Sequence, residues 1–219
     1  MSAEPKPPVQ NFATLRRTAL LALVLLPLGG CVSVSVGNSD LPATVYFQMS
    51  DARPAAPAPS TGTARLAIQS LGGDPMSDGL QLVYSRRPGE LAYYQFAAWS
   101  ERPSRRIGLL AQQRLDASGR FAVVTELGQP IATDWLLTLT LESLAHDVAT
   151  PPGRVRLALR AELIHRSDRT RVGQRLFTAT PPSAEAASPA AAAAFNLALA
   201  EVLDQLGPWV EATVAAQRN

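Results

Sequence analysis

The sequence predicts an α+β domain in which two helices pack against a mostly antiparallel sheet. Period-2 alternation of apolar and polar residues runs through residues 137–144 and 154–164, which is typical of strands with one buried face. Helical spacing of apolar residues follows Pro103 and returns in the Ala-rich C-terminal segment. A one-sided sheet and two amphipathic helices can bury their apolar surfaces together in two layers.

The elements before residue 137 are short. Apolar stretches predict strands at residues 44–49, 64–71, 80–85 and 91–96, and turn-forming residues join the last two. A helix begins at Pro103, since proline suits the first turn, and ends at Gly119. Residues 121–125 then return as a strand.

After the two alternating strands, residues 171–179 complete a meander, and the C-terminal helix begins near Pro189. The apolar stripe of this helix is formed by Phe195, Leu199, Val202, Leu203 and Leu206. Gly207-Pro208 is expected to bend or break the helix, because proline removes one hydrogen bond and clashes with the preceding turn.

The N-terminal segment has the features of an export signal. Arg16 and Arg17 precede an apolar run at residues 18–28, and small residues follow it. Eleven residues ending at a proline are too few to cross a hydrocarbon core, which needs about 20. We therefore expect residues 1–30 to be a signal peptide that is cleaved between Gly30 and Cys31.

The single cysteine lies directly after this signal. Leu28-Gly29-Gly30-Cys31 resembles the bacterial lipobox, in which the cysteine is acylated and becomes the mature N-terminus. The alternative is a buried thiol, since free cysteines are usually buried; the position after two glycines at the end of an apolar run favours the anchor. By the same resemblance, Val32 in place of an aspartate indicates the outer membrane.

Three segments follow from these observations. Residues 1–30 are the lipoprotein signal peptide, and residues 31–62 hold the lipidated N-terminus, a short strand and a Pro/Ala linker. The composition of this second segment predicts a flexible tether. Residues 63–217 form the α+β domain.

Charge and composition exclude several classes of function. The net charge of +2 comes from residues 1–30, which hold Lys6, Arg16 and Arg17 against Glu4, so the rest has no basic surface for nucleic acid. Lys6 is the only lysine, so the domain has no P-loop lysine and no Schiff-base lysine. One cysteine and two histidines argue against a structural metal centre. We expect no metal and no cofactor.

Catalytic patterns are also weak. His146 and His165 lie at strand ends without metal-ligand spacing, and the sequence has no Gly-x-Ser-x-Gly elbow. The preferred interpretation is that the protein is not an enzyme. Two alternatives remain: a ligand-binding lipoprotein, which should have a deep apolar pocket, and a lipoprotein hydrolase, which should place a histidine beside a serine and an acid.

Two features suggest binding. Residues 93–99, here called the aromatic segment, contain Tyr93, Tyr94, Phe96 and Trp99, which either dock a partner or pack under the helix that starts at Pro103. The polar strand face with Arg154, Arg156 and Arg160 could meet acidic partners or lipid head groups, or it could be a solvated face neutralised by Glu142 and Glu162.

A set of motifs resembles the ABC-type transport auxiliary lipoprotein family, whose best-known branch is the paraquat-inducible protein C type. The matching residues are Leu80, Leu82, Val83, Tyr84 and Arg86; Glu90, Leu91, Tyr93, Tyr94 and Trp99; the helix opened by Pro103; Phe121 with Val123-Val124; Asp134-Trp135-Leu136; and Phe195-Asn196 with Trp209. They cover residues 44–215 in the order of the family.

The resemblance implies a non-enzymatic outer-membrane lipoprotein. Family members work with an ABC permease and ATPase and with a mammalian-cell-entry domain protein in the periplasm. Such systems are similar to transporters of phospholipid or other hydrophobic compounds between the two membranes. The family supplies no catalytic or ligand-binding residues to transfer, and homo-oligomerisation is left open.

Overall fold

The computed structural model describes residues 42–217, so the expected signal peptide and Cys31 lie outside the described residues. Its strands are β1 Val45–Phe47, β2 Arg65–Gly72, β3 Gln81–Ser85, β4 Ala92–Trp99, β5 Val123–Glu126, β6 Trp135–Asp147, β7 Arg154–His165 and β8 Thr170–Ala179. Its helices are α1 Pro103–Ala117, between β4 and β5, and α2 Ser188–Ala216 at the C-terminal end. The α+β class is therefore confirmed.

All eight strands belong to one mixed sheet in which β6 is the central strand. One edge of β6 pairs antiparallel with β7, which pairs antiparallel with β8. The other edge pairs in parallel with β2 and, further along, with the end of β3. β1–β4 and β2–β5 are also parallel, whereas β3–β4 is antiparallel. The prediction of a mostly antiparallel sheet was wrong, because alternation encodes the buried face of a strand and not its direction.

Both helices pack on the sheet: α1 contacts β2 and β5, and α2 contacts β7 and β8. The five stripe residues predicted for the C-terminal helix are at most 2% exposed, which confirms the stripe. Gly207-Pro208 was expected to bend or break the helix, and the helix does not break there. The apolar face continues beyond the proline through Val210 and Val214, and their burial keeps the last turns on the sheet.

β2 and β3 pair with successive parts of the same edge of β6. The loop at residues 73–79 lies between the end of β2 and the beginning of β3. The backbone N–H of Leu144 donates to Ser77 Oγ (3.0 Å), whose hydroxyl donates to Asp74 (2.7 Å). The Ser77 hydrogen bond lowers the pKa of Asp74. Asp78 accepts the backbone N–H of Ser104 at the start of α1 (2.8 Å) and so caps a helix whose own N-cap residue gives no side-chain bond.

Residues 48–62, here called the N-terminal strap, are extended and lie along the helices. The backbone N–H of Thr61 donates to the carbonyl of Gly119 (2.8 Å), and that of Ser50 donates to Asn196 Oδ1 (2.9 Å). The Asp51 carboxylate contacts the Arg114 guanidinium at 2.6 Å, and both side chains are largely buried. These bonds attach most of the Pro/Ala linker to the surface of the domain.

Candidate functional site

The aromatic segment lies on a large bulge of β4. Val83 of β3 is in register with Tyr93, but Gln81, two residues earlier in β3, is in register with Ala98, five residues later in β4. Phe96 lies in the bulge with a φ of 58°, a left-handed conformation that is unfavourable for a phenylalanine. The bulge shifts the alternation, so the segment does not present its aromatic side chains on one face.

The four proposed docking residues therefore have different environments. Tyr93 is 42% exposed, whereas Tyr94 and Phe96 are half-buried. Trp99 is 3% exposed, and its ring packs edge-on against Phe195 of α2 with 5.6 Å between centroids. Tyr93 is the most exposed aromatic side chain of the segment, and Trp99 belongs to the core.

Tyr94 begins a hydrogen-bonded relay whose other two side chains, His146 and Ser183, are buried. Its hydroxyl lies 2.8 Å from His146 Nδ1, and His146 Nε2 lies 2.7 Å from Ser183 Oγ. The Ser183 hydroxyl also donates to the carbonyl of Pro152 (2.9 Å). Because a carbonyl only accepts, the one proton of Ser183 goes to Pro152, so Nε2–H of His146 donates to Ser183 and Nδ1 accepts from Tyr94. The relay joins β4, β6 and two loops.

Burial keeps the relay neutral. It lowers the pKa of His146, against the opposing effect of the Asp147 carboxylate. Burial also raises the pKa of Tyr94 to about 12, with a further rise from Tyr84 and a partial reversal by Arg86. No sequence signal pointed to Ser183 as a partner of His146, since the two are 37 positions apart.

This geometry is not that of a serine hydrolase. In a catalytic pair the histidine accepts the serine proton, whereas His146 donates to Ser183. The other ring nitrogen meets a tyrosine and not an acid, and His146 is fully buried. His165 lies near Ser167 and Asp168, but both contact the same nitrogen, Nδ1, at 3.2 Å, so the ring cannot link them.

The relay predicts a dependence of stability on pH. Below about pH 6.5 the unfolded chain protonates His146 while the folded chain, with its lowered pKa, does not. The free energy of unfolding should therefore fall with decreasing pH, by at most about 1.4 kcal/mol per pH unit from this group, until pH reaches the pKa of the folded state. Urea titrations between pH 7.5 and 5 measure this slope.

The control for that measurement is His146→Gln, which cannot titrate. This variant should be less stable throughout, but its free energy of unfolding should vary less between pH 7.5 and 5 than that of the parent protein. Equal slopes for both proteins would assign the pH dependence to other groups.

A depression beside α1 does not match the pocket expected of a ligand-binding lipoprotein. It encloses about 280 Å³ between α1, β2 and β5. Charged side chains of Glu101, Arg105 and Glu126 line it together with Leu109. Pockets for small molecules are usually larger and mostly apolar.

The polar face of the sheet is largely neutralised. Arg160 pairs with Glu142 at 2.6 Å, as the sequence suggested, and Glu162 pairs with Arg171 at 2.7 Å. Across residues 42–217, no helix has the length and apolarity needed to cross a membrane. Over the same residues, no three potential metal-ligating side chains are grouped around one point.

Comparison with known proteins identifies relatives. The family model for the ABC-type transport auxiliary lipoprotein component matches residues 47–207, which run from the end of β1 into α2. No curated protein shows significant similarity to the sequence.

Two of the solved structures that resemble this chain show the same fold. A protein from Xanthomonas campestris of the DUF330 family is 24% identical, with a TM-score of 0.72 over 80% of this chain and 98% of its own. An uncharacterised protein is 12% identical, with a TM-score of 0.57 over 72% of this chain and 99% of its own. PelC from Paraburkholderia phytofirmans, a dodecamer, is 15% identical over 69% of this chain and 94% of its own, with a TM-score of 0.42.

Proposed function

This chain belongs to the ABC-type transport auxiliary lipoprotein family, and from this we propose that it is a non-enzymatic lipoprotein of the outer membrane. In this proposal it assists an ABC permease and ATPase through a mammalian-cell-entry domain protein, and the system moves phospholipid or other hydrophobic compounds between the membranes. The observation that carries the proposal is the family match across residues 47–207. No lysine follows residue 30, so the domain has no P-loop lysine. In this proposal a partner hydrolyses ATP.

Cys31 is the anchor in this proposal. Several acyl chains, each buried at about 0.8 kcal/mol per CH₂, hold a protein stably on a membrane. Cys31→Ala should abolish labelling by radioactive palmitate and remove the protein from the outer-membrane fraction. Val32→Asp, which keeps Cys31, should still be labelled but move to the inner membrane. A Cys31→Ala variant that stays in the outer-membrane fraction would refute the anchor.

We also propose that Tyr93 contributes to docking of the mammalian-cell-entry protein. Tyr94 holds the His146 relay and Trp99 lies in the core, so variants of either would also disturb the fold. Tyr93→Ala should weaken co-purification of that partner without lowering the melting temperature appreciably. Leu176→Ala, at a similarly exposed position on β8, is the matched control and should leave co-purification unchanged. Equal recovery of the partner with both variants would remove Tyr93 from the docking surface.

A further inference from the structure

The first described residues, 42–44, lie toward one identifiable end of the sheet. β1 is parallel to β4, with Val45 opposite Ala97. Residues 42–44 therefore lie on the side of Val45 that faces the end at which β4 begins. The turn of the β3–β4 hairpin lies at the same end. We call this part of the domain, centred on residues 86–91, the hairpin end.

The chain between Cys31 and the domain is short. Residues 32–41 can span about 35 Å at most when fully extended. A compact domain the size of residues 42–217 has a radius of gyration of about 16 Å and so a diameter of roughly 40 Å. The strap cannot readily lengthen this connection, because Ser50 and Asp51 are bonded to the helices. If Cys31 is acylated, as proposed above, the hairpin end is the part of the domain that the membrane surface meets most readily.

The hairpin end has a side-chain chemistry suited to such a surface. A groove of about 470 Å³ is lined by Tyr84, Arg86, Gly89, Glu90, Leu91 and Ala92. The Arg86 guanidinium lies over the Tyr84 ring, 5.1 Å from its centroid, and no carboxylate of residues 42–217 lies within ion-pair distance of it. Leu91 is 46% exposed. A Cβ atom added to Gly89, whose φ is 79°, would meet no other atom within 4 Å, so the turn projects into solvent.

We propose that the hairpin end is the membrane-contacting surface of the domain, with Leu91 among the lipid head groups and Arg86 bound to a lipid phosphate. Guanidinium groups bind phosphate through paired hydrogen bonds. Basic residues close to an anionic membrane surface strengthen membrane binding. The neighbouring Arg87 pairs with Glu90 at 3.5 Å, so Arg86 is the arginine of the hairpin turn that remains available to a phosphate.

Membrane contact at this groove leaves Tyr93 available to a protein. The pairs Val83–Tyr93 and Tyr84–Ala92 are successive in the hairpin, so their side chains point to opposite faces. The groove with Tyr84 lies on one face and Tyr93 on the other. Lipid and partner therefore occupy different sides of the same hairpin.

The test uses the full-length lipoprotein purified from membranes and reconstituted into vesicles of phosphatidylethanolamine and phosphatidylglycerol. Leu91→Cys and Ile131→Cys are each labelled with an environment-sensitive fluorophore, since an acylated Cys31 has no free thiol. Both positions are 46% exposed, and Ile131 lies in the β5–β6 loop at the opposite end of the sheet. A spin-labelled lipid should quench the label at position 91 several-fold more strongly than the label at 131. Arg86→Gln should reduce that quenching, whereas Arg169→Gln, in the β7–β8 turn, should not.

The outcomes separate this inference from the function proposed above. Protein that fails to float with the vesicles, or a label on Cys31 itself, would refute the anchor. Flotation with equal quenching at positions 91 and 131 would overturn the membrane contact alone. The membrane contact would also be overturned if inorganic phosphate, without vesicles, changed the fluorescence at position 91 as much as vesicles do. A fluorescence change at position 91 that only the mammalian-cell-entry protein produced would overturn it as well.

Discussion

Trp99→Ala should lower the free energy of unfolding by about 3–5 kcal/mol, the usual cost of removing a large aromatic side chain from a core. Trp99 is 3% exposed and packs against Phe195, so the substitution leaves a cavity between β4 and α2. Natural domains have only about 5–15 kcal/mol to lose. Chemical denaturation at constant pH measures the effect, and Trp99→Phe should retain much of the stability.

Tyr93→Ala is the matched control on the same strand, since Tyr93 is 42% exposed. Its cost should be below about 1 kcal/mol, because little apolar surface returns to water. Similar losses for the two variants would show that Trp99 is not a core residue.

Arg114→Met should cost about 3–5 kcal/mol, because it leaves a buried carboxylate without its partner. The side chain of Asp51 is 7% exposed, and it contacts the guanidinium at 2.6 Å. Arg114 also contacts Asp204 of α2 at 2.6 Å, so one guanidinium joins the strap and both helices. Thermal and urea unfolding should both report the loss, and proteolysis within the strap should become faster.

A double variant separates the buried charge from the packing. Arg114→Met combined with Asp51→Leu removes both buried charges, so it should be more stable than Arg114→Met alone. Arg120→Met tests an exposed pair, 3.8 Å from Glu211, and should change stability by less than about 0.5 kcal/mol. A double variant less stable than the single one would mean that Asp51 stabilises the strap independently of Arg114.

The sequence was informative about elements and uninformative about how they are arranged. Alternation identified β6 and β7 because their side chains face a core on one side only. It could not show that β2 and β3 share one edge of β6, since that arrangement depends on the loop at residues 73–79 and on its hydrogen bond to Leu144. Parallel pairing between distant strands leaves no local pattern.

The aromatic segment shows the same limit at the candidate site. Regular alternation would place Tyr94 and Phe96 on one side and Tyr93 on the other, whereas a bulge at Phe96 shifts the pattern before Trp99. A bulge without glycine contains no residue type that would indicate it in the sequence. The His146 relay was equally hidden, because each of its hydrogen bonds joins parts of the chain far apart in sequence.

The central position of β6 also has a consequence for folding order. β7 and β8 follow β6 closely and pair with it or with each other as a local meander, whereas β2 and β3 are synthesised well before the strand they need. Closing such long loops costs entropy before any contact compensates for it, which slows folding. We therefore expect the meander to form first, with the edges of β2 and β3 open to non-native pairing until β6 is complete.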